Sequence, residues 1–136
     1  MANLGVQSHA TRVMFIIYAA IEPAQAALVT EAGAVIQLAR KTAAPTYTAI
    51  AATAFLNHDG GGADAGFTAG HTASAQGTTG DTISRGWNSK AGFEWRPTPE
   101  EYISVPAGTA NGFALISTTA PPAGVYTFTL TVVEVG

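Results

Sequence analysis

From Tyr126 to Val132 the chain alternates strictly: Tyr126, Phe128, Leu130 and Val132 are apolar, while Thr127, Thr129 and Thr131 carry hydroxyls. A period of two belongs to a strand with one face buried and the other exposed. The segment FALIST (113–118) predicts a second strand, and EYISVPAG (101–108) a short third one. Between them, Pro121, Pro122 and Gly124 mark one turn. Asn111-Gly112 offers the residue types that tight hairpins favour. The pattern therefore predicts three successive antiparallel strands at the C-terminal end.

Upstream, RVMFIIYAAI (12–21) is dense in β-branched and aromatic residues and reads as a buried strand. PAQAALVTEAG (23–33) fits either a short helix, with Pro23 in its first turn and Gly33 past its end, or the approach to a strand at AVIQLAR (34–40). TYTAIAATAFL (46–56) has strand-like threonines and aromatics diluted by alanine. Residues 57–80 lose all periodicity and contain seven glycines, which predicts a long surface loop. Strand signals resume at TISRGWN (82–88) and GFEWRP (92–97). Seven or eight short strands with little helix predict an all-β single domain over residues 1–136, a sandwich or a barrel, and an antiparallel β-sandwich is the expected form.

Before the first strand, MANLGVQSHA has no acidic, lysine or arginine side chain and no strand pattern. It is expected to form an N-terminal arm over about residues 1–10, lying on a neighbouring subunit rather than in the sandwich.

Charge changes the picture more than any motif. Only 11% of residues are charged, against about 25% in an ordinary soluble domain. Nothing charged stands between Glu101 and Glu134. Alanine, glycine and threonine supply 60 of 136 residues, so surface polarity rests on hydroxyls and backbone. Such a surface suits a protein packed against others. The six basic residues are scattered, which leaves no clustered basic face for nucleic acid. Cysteine is absent, and with it disulfides and thiolate chemistry. The apolar run 13–21 is too short to span a bilayer, where ~20 residues are needed. It also makes a poor signal peptide, because Arg12 stands late and Glu22-Pro23 interrupts the approach to AQA (24–26).

Candidate chemistry concentrates in NHDGGGADAGFTAGH (57–71). His58, Asp59, Asp64 and His71 are ligand types, but the carboxylates stand five apart and no glutamate closes a calcium ring. For zinc, the two histidines are separated by glycine-rich chain. The spacing favours a loop over a metal centre, with no cofactor expected. No nucleophile elbow, paired carboxylates or phosphate loop is present, so no enzymatic activity is expected. Trp87 and Trp95, near Tyr102 and flanked by Arg85 and Arg96, read either as a stacking platform for sugar or as core or interface anchors. The anchor reading is favoured.

The C-terminal stretch RPTPEEYISVPAGTANGFALISTTAPPAGVYTFTLTVVEVG (96–136) resembles the closing part of small virion proteins of tailed bacteriophages. It shares with the head decoration, or cement, proteins a VPAG turn into an apolar strand, a proline-rich turn and a threonine-alternating last strand. The resemblance implies a jelly-roll form of the sandwich and a homo-oligomer, with a trimer favoured. It further implies a non-enzymatic partner of the major capsid protein on the capsid surface of a virion, made in the host cytoplasm. A tail, neck or fibre protein and a carbohydrate-binding sandwich are the alternatives. On this reading Asn3, Leu4, Val6, Gln7, Arg12, Arg85, Trp87, Trp95 and Arg96 are the expected partner contacts, with neither nucleic acid nor membrane involved.

Overall fold

The structure, a computed structural model, describes residues 2–24, 30–51, 66–118 and 123–136. Ten strands are present among the described residues. They are β1 (Ala2–Gln7), β2 (Val13–Pro23), β3 (Gly33–Ala43), β4 (Thr46–Ile50), β5 (Thr68–Ala75), β6 (Thr78–Asn88), β7 (Phe93–Trp95), β8 (Ile103–Val105), β9 (Gly112–Ser117) and β10 (Tyr126–Val135). One 3₁₀ turn, Pro99–Glu101, precedes β8. A six-stranded sheet runs β4-β5-β1-β9-β3-β6, and a four-stranded sheet runs β10-β2-β7 with β8 also on β2. All pairings are antiparallel, and the two sheets pack together as an all-β sandwich.

The main core lies between the sheets. Val6, Met14, Ile16, Ala19, Ile21, Ile36, Leu38, Trp87, Val105, Phe113 and Leu115 form it, and Tyr126, Phe128, Leu130 and Val132 pack against it from β10. In β2 the inward positions switch from even (Met14, Ile16) to odd (Ala19, Ile21). The cause is a bulge: Thr131 faces Tyr18 and Val132 faces Ile16, so Ile17 is an extra residue on β2.

A second, smaller cluster sits on the other face of the six-stranded sheet. Ala39, Ala73, Ala114 and Ile116 are buried there with Tyr47 packed against them. At this end the β3–β6 ladder runs on into the β4–β5 ladder, since Ala43 faces Thr78 and Thr46 faces Ala75. The sheet therefore curls, and the inside of the curl holds three alanines and Ile116 beside one aromatic ring. A methyl group on either Gly5 or Gly70 would collide with the Tyr47 side chain.

Several expectations are corrected here. The N-terminal segment is no arm: β1 is an interior strand, paired to β5 on one side and β9 on the other. Its weak apolar alternation reflects Gly5, which must be small beneath Tyr47. The three C-terminal strands are not a meander. β8 pairs with β2, β9 lies between β1 and β3, and β10 returns to β2, so consecutive strands alternate between sheets. Asn111 and Gly112 both keep negative φ, so they form no primed hairpin turn. Gly112 instead permits close approach, because an added Cβ would lie 2.5 Å from the Val6 carbonyl oxygen. The patternless stretch also hides β5 and the start of β6, joined through Gly77 at φ +63°. Most of the remainder of that stretch lies outside the described residues, as do residues 25–29 of the segment that fits either a short helix or the approach to a strand; its first residue, Pro23, ends β2 and its last, Gly33, begins β3.

Candidate functional site

Of the loop residues with ligand character, His58, Asp59 and Asp64 lie outside the described residues. His71 is exposed on β5, with Nδ1 3.1 Å from the Thr72 hydroxyl. Among the described residues no group of three or more histidines and carboxylates is arranged to hold a metal.

The expected partner contacts scatter through the fold. Val6 is buried in the core at 4% exposure, which removes it from any outer surface. Asn3 and Leu4 belong to the interior strand β1 rather than to an arm. Gln7, half-buried, donates from Nε2 to the Thr109 carbonyl and accepts from the Thr68 hydroxyl at 3.4 Å. Arg12, its side chain 42% exposed, lies 3.7 Å from Glu134, whose carboxylate also accepts the Gly66 backbone N–H at 2.7 Å. This contact ties β10 to the end of the chain segment leading into β5.

The tryptophans do not form a platform. Trp87 is a core residue whose ring meets that of Tyr126 edge-on, with centroids 5.4 Å apart. Trp95 is half-buried and packs against the core. Period-two register explains both positions, since Trp87 faces Ala34 and Trp95 faces Ala19 on inward-pointing rows.

The two arginines near them remain outside. Arg96 bonds Glu94 through Nε at 2.6 Å and lies over the Tyr18 ring, 5.3 Å from its centroid. Tyr18 donates to the other Glu94 oxygen at 3.2 Å. Desolvation first, and then the Glu94 charge, raise the Tyr18 pKa, and the Glu94 hydrogen bond raises that of Arg96. Arg85 is exposed on β6.

Among the described residues two long strand edges are unpaired, neither of which the composition alone points to. β6 closes one side of the six-stranded sheet, and β10 one side of the smaller sheet. Along β6, residues Thr78–Thr82 and Ser84–Gly86 are all exposed. On and beside β10, Val125, Val133 and Val135 are exposed at 58%, 42% and 55%. A period-two count could have found the last two, because odd positions face outward along the whole of β10.

Two buried polar side chains were not singled out by motif. Lys41, only 1% exposed, donates to the Gln76 carbonyl at 2.9 Å and the Thr79 hydroxyl at 2.7 Å. Burial lowers its pKa. Burial likewise raises the Tyr47 hydroxyl well above its ordinary value, and that oxygen has no hydrogen-bond partner among the described residues. Both sit about the curled end.

No protein-family model, curated protein or solved structure matches this chain.

Proposed function

We propose that the chain is a structural protein that works by packing against other protein subunits, as a bacteriophage head decoration or cement protein does. The observation that carries this reading is the exposed, nearly uncharged last strand. Three large valines stand free on an open sheet edge, where an isolated soluble domain would place charges or proline. The threonine-rich outer face of the same strand adds polar groups without the desolvation cost of burying ions. The partner on this reading is the major capsid protein, the location is the outside of the virion head, and no reaction is catalysed. Weak contacts would be multiplied by oligomerisation and by the lattice, which can raise effective affinity ~10²–10⁴-fold.

The test is binding of the purified protein to expanded heads that lack it. Saturable binding is expected, and Val133→Asp with Val135→Asp should abolish it while the circular dichroism spectrum stays unchanged. Binding to tails in place of heads would move the protein to the tail or neck. Binding to neither would overturn the reading.

A further inference from the structure

The free edge of β6 carries a self-complementary sequence. We propose that two copies of this chain pair β6 to β6, antiparallel about a two-fold axis at Ile83, and so join two six-stranded sheets into one continuous sheet. This goes beyond the capsid reading and stands independently of it.

The argument starts from charge. β6 holds only two charged residues, Asp81 and Arg85, placed two positions either side of Ile83. In an antiparallel pair centred on Ile83, Asp81 of each copy faces Arg85 of the other. Two cross-strand ion pairs form at once, from a strand that would otherwise present no charge pattern. Directly opposed residues lie on the same face of a sheet, so the register is sterically consistent. The remaining positions agree. Ile83 meets Ile83, Thr82 meets Ser84, and Gly80 meets Gly86. That gives one apolar pair, two hydroxyl pairs and two pairs with no side chain to clash.

The surroundings leave room for it. Gly80, Asp81, Thr82, Ser84, Arg85 and Gly86 are all exposed, and Ile83 is half-buried against the core. The Asp81 side chain is 90% exposed although it accepts from Arg40 at 3.0 Å, so its carboxylate can take a second cation. Among the described residues Arg85 bonds only to the Ser84 carbonyl, at 3.2 Å. From Thr82 to Asn88, β6 keeps an unbroken ladder with Ala39–Gly33 of β3, and the nearest register shift lies at Gly80–Asp81, which together face Arg40. Natural edges are usually blunted by lysine, proline or a bulge. This segment has neither lysine nor proline, and its bulge is confined to Gly80–Asp81 at one end. The other long edge, β10, lacks any such charge palindrome.

Sedimentation of the full chain tests the proposal. A dimer in reversible equilibrium is expected, weakening as salt rises because its ion pairs stand near solvent. Arg85→Asp sets like charges opposite each other and should weaken the dimer by about tenfold or more. Adding Asp81→Arg to that variant restores opposite charges across the axis and should recover most of the affinity. The absence of cysteine allows a second measurement. In an Ile83→Cys variant the two sulfurs would come from Cα atoms ~4.5–5.5 Å apart, within disulfide reach, and mild oxidation should give a covalent dimer. A Thr79→Cys variant would place them roughly 26 Å apart and should stay uncrosslinked. A monomer at every concentration, a trimer, or a dimer that ignores Arg85→Asp and crosslinks equally through either cysteine would overturn the proposal.

Discussion

At the scale of single residues, the tightest dependence is between Tyr47 and the glycines beneath it. The ring lies where a methyl on Gly5 or Gly70 would stand, and its hydroxyl is buried without a partner among the described residues. An unpaired buried hydroxyl costs ~1–3 kcal/mol, so Tyr47→Phe should stabilise the fold by about 1 kcal/mol in urea unfolding. Tyr47→Ala opens the curl and should cost about 3–5 kcal/mol, as other aromatic truncations do. Lys41 gives a prediction in pH. Its folded pKa lies below the unfolded value of 10.5, so in that interval the unfolded chain binds more protons. Stability must then rise with pH from the folded pKa towards 10.5. Lys41→Met should lose that rise, and the gap between the two unfolding free energies should shift in favour of the natural protein across the interval. Tyr47 acts in the opposite sense above 10.0, where a raised folded pKa makes stability fall with pH, so the comparison belongs below that value. None of this was legible in the sequence. Tyr47 and Lys41 carry no motif, and what makes them notable is a bend that brings distant small residues together.

At the scale of the strand, alternation was the reliable signal wherever one face met the main core. β2, β3, β6, β7, β9 and β10 all fall where apolar or β-branched periodicity puts them. In β10 the inward row Tyr126, Phe128, Leu130 and the exposed Thr127 and Thr129 follow the pattern residue by residue. Leu130 is half-buried, so Leu130→Ala should cost about 2 kcal/mol, at the low end for core truncations. Thr129→Ala should stay within about 0.5 kcal/mol. Equal losses measured by thermal unfolding would mean that something covers the outer face. Where the signal failed, the physics is clear. β1 and β5 carry Gly5, Gly70 and Ala73 because a ring must fit above them, and small residues erase the contrast on which periodicity depends. Partner choice was equally hidden. VPAG and Asn111-Gly112 look like hairpin punctuation, yet they carry the chain across the sandwich from one sheet to the other. The candidate contacts divide along the same line. Arg85 is exposed on β6 and Arg96 just past the end of β7, while Val6 and Trp87 point inward because one residue of register decides the face.

At the scale of the molecule, the two ends of the chain are interior to its construction. β1 holds β5 to β9, and β10 lines the whole of β2. Deleting Met1 to Ser8 should therefore abolish cooperative unfolding, leaving the chain expanded in size-exclusion chromatography, instead of merely weakening an association. A folded, monomeric deletion variant would mean that β1 is dispensable and that β5 can pair elsewhere.

The same pairing of early strands with late ones has a consequence during synthesis. A chain leaving the ribosome presents VMFIIYAAIEP, its most continuous apolar strand, long before the strand that will cover its edge has been made. At ~5–20 residues per second that wait is on the order of ten seconds. For that time a sticky strand faces every other nascent chain on the same message. Arg12 stands immediately before the run and Glu22-Pro23 immediately after its apolar part, where a charge and a ring without an N–H discourage stacking of like strands. Residues that look incidental in the finished sandwich thus guard the interval before there is one.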